Sequence, residues 1–185
     1  MSIEPDTKDW TWVVDAACPD CGFDPDSVTP GQLPDLLHET TRGWYELLAD
    51  ADFAVRPAQH VWSRLEYACH VRDVHRVFAE RVRLMLEQDD PEFANWDQDA
   101  TAVEEVYGEQ DPAAVGTALV ERAAEAAALY SSVGEDQWQR TGRRSNGSAF
   151  TIETIGRYHL HDVVHHLWDV SITPHQPATD PATES

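Results

Sequence analysis

Lysine is almost missing from this chain. Lys8 stands alone beside twelve arginines, and 34 acidic residues outnumber the 13 basic ones for a net charge of −21. So negative a surface repels phosphate backbones, which removes nucleic acid from the expected partners. Self-repulsion of that size is best tolerated at high ionic strength, so the composition fits a salt-rich setting or a simply acidic proteome. Long apolar runs are missing as well: none approaches the roughly 18 residues that span a bilayer. The opening Met1-Ser2-Ile3-Glu4-Pro5-Asp6 has no basic-then-apolar targeting pattern. The expectation is a cytoplasmic protein with no membrane partner. Three cysteines, Cys18, Cys21 and Cys69, are an odd number and argue against a disulfide framework. Alternating strand patterns are scarce, which leaves helices to build the core.

What is present is a globular composition, 42% hydrophobic with seven tryptophans, long enough for one domain and a short appendage. Residues 1–29 read as an N-terminal arm whose Trp10 and Trp12 pin it to the rest. Its Cys18-Pro19-Asp20-Cys21-Gly22 looks like half of a zinc knuckle, but structural zinc takes four ligands and there is no second CxxC. A tight turn with packed or free thiols is the preferred reading, with metal or redox chemistry as the alternative.

Thr29-Pro30 marks a helix start, and the spacing of Leu33, Leu36, Leu37, Trp44, Leu47 and Leu48 predicts a helix over about 30–50. Ser63-Arg64-Leu65-Glu66 is a capping box opening a second helix that runs to about Gln88. A long connection over 89–110 carries Trp96 and Asp97 and a short helix over 100–106; loops of this length are often functional. Asp111-Pro112 opens a third helix that closes at Gly134, and a fourth runs from Thr151 to Ile172. The tail 174–185 lacks core residues and is expected to be disordered. The fold class that results is all-α, a four-helix bundle over 30–173 with an irregular arm.

The fourth helix is where chemistry concentrates. Between Tyr158 and Val170 lie four of the nine histidines, with Asp162 and Asp169. So many imidazoles are costly to bury unless they bind something, and a divalent metal is the usual ligand. Two pairs share a face at i,i+4: His161/His165 and Asp162/His166. Relative to Leu160, Val163, Leu167 and Val170, Asp162/His166 sits about 110° from the apolar centre and His161/His165 about 150° away. The first pair is preferred as ligands, and the second is expected nearer solvent or behind them. His70, on the core side of the second helix, is the best third ligand. His38, His60 and His75 are weaker, with His75 expected to face an arginine-rich surface.

Trp62-Ser63-Arg64-Leu65-Glu66-Tyr67-Ala68-Cys69-His70-Val71 resembles the second-helix signature of the DinB/YfiT-like superfamily, which includes the mycothiol-dependent maleylpyruvate isomerases. There a Trp opens the helix and a metal-binding His follows eight residues later, as Trp62 and His70 do. That family's fourth helix carries a ligand, three residues, a ligand His, and an Asp or Gln three further on. Asp162, His166 and Asp169 stand in that register. The resemblance spans about 30–172 and implies His70, Asp162 and His166 as ligands. Many members have His at the Asp162 position and the isomerases have Glu. Asp is shorter, so His161 or His165 is the fallback.

The resemblance further implies a metal-dependent thiol S-transferase or isomerase acting on a small-molecule substrate. Its cofactor would be zinc first, with nickel or iron alternatives, and its co-substrate a low-molecular-weight thiol of the mycothiol type. A non-catalytic metal-binding or sensing bundle is the competing reading. Arg140, Arg143 and Arg144 could bind an anionic co-substrate, although a solvated basic loop is the preferred reading, and Trp96 with Asp97 could line the pocket mouth. Bundles of this kind often pair, so a homodimer is an expectation.

Overall fold

The computed structural model describes residues 9–48 and 52–172, so the tail beyond 174 lies outside the described residues. Four long helices make the body: α1 (Leu33–Leu47), α2 (Arg64–Glu87), α4 (Pro112–Ser131) and α5 (Ile152–Ile172), with a short α3 (Gln98–Glu104) between α2 and α4. Helices α4 and α5 each pack against both α1 and α2, which puts α1 and α2 at opposite corners of the bundle. The all-α, four-helix reading therefore holds.

Local chemistry sets the helix starts. The Ser63 hydroxyl accepts the Glu66 N–H at 3.2 Å while Glu66 Oε2 accepts the Ser63 N–H at 2.8 Å, so the capping box is formed. Arg56 pairs with the same carboxylate from the preceding linker. Asp111 accepts the Ala114 N–H at 2.8 Å to open α4, and Asp97 accepts the Ala100 N–H at 2.9 Å to open α3 two residues earlier than expected. Pro30–Gln32 forms a 3-10 turn, so α1 starts at Leu33 rather than Pro30.

The core joins Leu33, Leu37 and Trp44 to Leu65, Phe78, Val82 and Met85 of α2, Leu119 and Tyr130 of α4, and Ile155 and Val163 of α5. Each such large side chain contributes about 1.5–3 kcal/mol when fully buried. At Gly156 a Cβ would stand 2.6 Å from Leu33 Cδ1 and 3.2 Å from Tyr130 Cε1, so any larger residue there would force the Leu33 side chain to move. Helix α2 is enclosed on its outer side too, by α3 and the sheet: 15 of its 24 residues are buried, spread around its circumference rather than along one stripe.

A small sheet departs from the helical expectation. Strand β2 (Thr141–Arg144) pairs antiparallel with β3 (Ala149–Thr151) and parallel with β1 (Glu92–Phe93). With two to four residues each, these strands are too short to display a period of two. Gly147, at φ +96°, makes the hairpin turn. The sheet ties the 89–110 connection to the segment leading into α5.

The arm lies against α5. Its 3-10 turn Thr11–Val14 packs on that helix, Val13, Cys18, Phe23 and Val28 are buried, and Arg157 donates to the Val28 carbonyl at 3.2 Å. Among the described residues no helix is long and apolar enough to cross a membrane.

Candidate metal centre

Helix α2 carries His70 into the bundle, and α5 carries Asp162 and His166 toward it on successive turns. His70 is fully buried, the other two half-buried. Each offers a donor atom, all within 4.8 Å of one another. His70 Nε2 lies 3.3 Å from Asp162 Oδ1, and His166 Nε2 lies 3.4 Å from the same oxygen. Bonds of about 2.0–2.2 Å to nitrogen and oxygen in tetrahedral array put neighbouring donors about 3.4 Å apart, so Asp162 is long enough for the task. The three residues expected from the sequence do converge.

Their orientation is held from behind. The His70 ring stacks on Trp96 (centroids 5.3 Å apart, planes 4° apart) and packs against Trp62 at 5.4 Å. His70 Nδ1 is buried with no hydrogen-bond partner among the described residues, so indole packing sets this ring. His166 Nδ1 lies 2.9 Å from Asp169 Oδ2. If Nδ1–H serves Asp169, a neutral His166 presents a bare lone pair toward the Asp162 carboxylate, an arrangement that a cation between them relieves.

The protonation states suit a ligand set. Burial holds the His70 imidazole below its ordinary value, only partly offset by Asp162, so it stays neutral. Burial alone would raise Asp162, but the His70 hydrogen bond and the neighbouring imidazoles hold it well below the usual carboxylate range. Cys69, by contrast, is pushed up to about 12 by burial and is no nucleophile.

The set opens onto a cleft of about 890 Å³ whose lining includes Trp96, Asp97, Tyr158, Asp162 and His166. Trp96 and Asp97 thus sit where the sequence suggested. Of the three loop arginines only Arg144 lines the cleft, lying over the rings of Phe150 and Tyr158. Arg140 donates to the Met85 and Gln88 carbonyls at 2.6 Å each, and Arg143 pairs with Asp90.

Two expectations are corrected. His161 and His165 do not face open solvent: they border the cleft but are only 2% and 8% exposed, because the arm covers the face of α5 that a four-helix count leaves outside. Nor does His75 face a surface. It is fully buried, with Nδ1 2.9 Å from His159 Nε2, and His159 Nδ1 is 3.2 Å from the Tyr130 hydroxyl. The all-round burial of α2 explains it. His38 and His60 are exposed and outside the centre, as expected.

The sequence model of the DinB superfamily matches residues 35–170 of the chain. No curated protein matches it. Among solved structures, YfiT from Bacillus subtilis is similar, with a TM-score of 0.67 at 19% identity over 77% of this chain and 85% of that one. YfiT is described as a probable metal-dependent hydrolase with an unusual four-helix bundle topology. At that identity the likeness carries the fold.

Proposed function

The chain belongs to the DinB superfamily, and from that premise we propose that it is a metal-dependent enzyme whose ion is held by His70, Asp162 and His166. The observation that carries the reading is the convergence of three ligand-ready donors, from two helices, on the wall of a cleft. A divalent ion there would supply Lewis acidity that lowers the pKa of a thiol or water on its open side. Zinc is the first choice; the donor set also admits nickel or iron(II).

The protein's own residues would do the rest. Trp96 and Trp62 hold the His70 ring, Asp169 fixes the tautomer of His166, and the cleft admits the substrate. Its lining favours a neutral or cationic co-substrate, since among the described residues Arg144 is its one arginine or lysine against Asp9, Asp97, Asp99, Asp162 and Asp169. Within this reading we favour thiol transfer or isomerisation with a small thiol of the mycothiol type, on the resemblance of the Trp62–His70 and Asp162–Asp169 motifs. The second reading is hydrolysis by an activated water, supported by the description of YfiT.

Thiol consumption with monobromobimane or a maleyl compound tests both. The metal-loaded protein should accelerate it, His70→Ala and His166→Ala should lose the acceleration, and His60→Ala should keep it. Acceleration of ester cleavage without thiol would transfer the conclusion to the hydrolase reading. Equal rates for metal-loaded and chelated protein in both assays would end the enzymatic proposal.

A further inference from the structure

The unexplained CxxC of the arm acquires partners in the fold. Cys18 and Cys21 lie beside His161 and His165 of α5, and the four offer donor atoms all within 4.8 Å of one another. We infer that these residues hold a second metal ion, a thiophilic divalent cation of the zinc class in a closed Cys2His2 site that fastens the arm to α5. This site is separate from the centre formed by His70, Asp162 and His166 and does not rest on the function proposed for it.

The local geometry fits such an ion. Cys18 Sγ and His165 Nδ1 are 3.6 Å apart. Zinc–sulfur bonds of about 2.3 Å and zinc–nitrogen bonds of about 2.0 Å at a tetrahedral angle place S and N about 3.5 Å apart. A single thiol–imidazole contact would account for that one pair, but not for four soft donors meeting from segments so far apart in the chain.

The turn that presents the sulfurs is built like a knuckle. The Cys18 N–H donates to the Phe23 carbonyl at 2.8 Å and the Gly22 N–H to the Cys18 carbonyl at 3.0 Å, while Gly22 sits at φ +75°, where glycine is favoured. The imidazoles are oriented by rings: Trp10 packs on His165 at 4.7 Å and on His161 at 5.6 Å, and Phe23 meets His161 edge-on at 5.4 Å. With Nδ1 facing Cys18, His165 directs Nε2 toward Asp169 Oδ1 at 3.9 Å, so a carboxylate stands behind the ligand. Cys18, His161 and His165 are buried and Cys21 is half-buried; the two imidazoles border the cleft, but four protein donors fill a tetrahedral shell, as for a structural rather than a catalytic ion. Binding would release the two thiol protons to solvent and leave both sulfurs as thiolates.

The test uses the full chain without a histidine tag, loaded with cobalt(II) in place of zinc. Wild-type protein should show a thiolate-to-cobalt charge-transfer band and the intense visible bands of tetrahedral cobalt. His70→Ala/His166→Ala should retain both, whereas Cys18→Ser/Cys21→Ser should lose the charge-transfer band and one equivalent of bound metal. Because the first readout is on wild-type protein, a misfolded variant cannot hide the answer. Absence of the charge-transfer band in wild-type protein would overturn the site. So would a Cys18–Cys21 disulfide in freshly purified protein, seen as the loss of two hydrogens in the intact mass.

Discussion

Helix α5 presents two donor sets on adjacent faces, and they differ in what surrounds them. Asp162 and His166 meet one residue of α2 and look into a cleft. His161 and His165, each one position earlier, border the same cleft but meet two cysteines of the arm and pack under Trp10 and Phe23. Three protein donors leave an open position that suits reaction at an ion, and four fill a tetrahedral shell and suit fastening. One step along a helix rotates a side chain by about 100°, enough to exchange one environment for the other.

The largest expected effect is on stability and separates the two sets directly. If free zinc exceeds its dissociation constant about 1,000-fold, a closed ion stabilises the fold by roughly 4 kcal/mol. Cys18→Ser/Cys21→Ser should then lower Tm by about 8–16 °C in calorimetry. His166→Ala gives up an ion held by three donors rather than four, so by the same mass action its weaker binding should make the drop smaller. Equal drops for the two variants would erase the distinction.

The open set was legible in the sequence because helical periodicity is local. The Ser63–Glu66 box locates the start of α2, which gives His70 its place on the helix, and the i,i+4 spacing pairs Asp162 with His166. What those signals cannot carry is the position of an irregular segment. Nothing within residues 158–170 announces that Cys18, 147 positions before His165, will lie against it. The apolar stripe of α5 locates the bundle core correctly, yet for the opposite face periodicity offers only solvent or a place behind the ligands, because the arm has no period to be projected. The same limit applies to His75, whose burial follows from α2 being enclosed all round. The three short strands were missed for want of length.

His75 and His159 offer a control for the comparison, being buried imidazoles that belong to neither donor set. Burial lowers His75 from 6.5 to about 4. Between those values the unfolded chain binds the proton and the folded one does not, so stability is lost as pH falls from about 6.5 toward 4. At about 1.4 kcal/mol per pH unit the loss from this residue approaches roughly 3 kcal/mol near pH 4. Urea unfolding in the presence of chelator should show that loss in wild-type protein and a shallower fall for His75→Leu. An unchanged pH dependence would mean that His75 is not held neutral in the folded protein.

The smallest effect tests whether the two faces are independent. Asp169 stands between them, with Oδ2 2.9 Å from His166 Nδ1 and Oδ1 3.9 Å from His165 Nε2. A carboxylate behind a ligating imidazole orients the ring and raises its basicity, and removing it typically costs about 10–100-fold in metal affinity. Only the shorter distance is a hydrogen bond, so Asp169→Asn should weaken metal binding by His70, Asp162 and His166 by about that factor. The cysteine-bound ion should be weakened much less. Competition with a chromophoric chelator, with the cobalt–thiolate band reporting the closed set separately, measures both affinities in one sample. Equal weakening would show that the two ions share one electrostatic support, and that binding at the arm tunes the ion in the cleft.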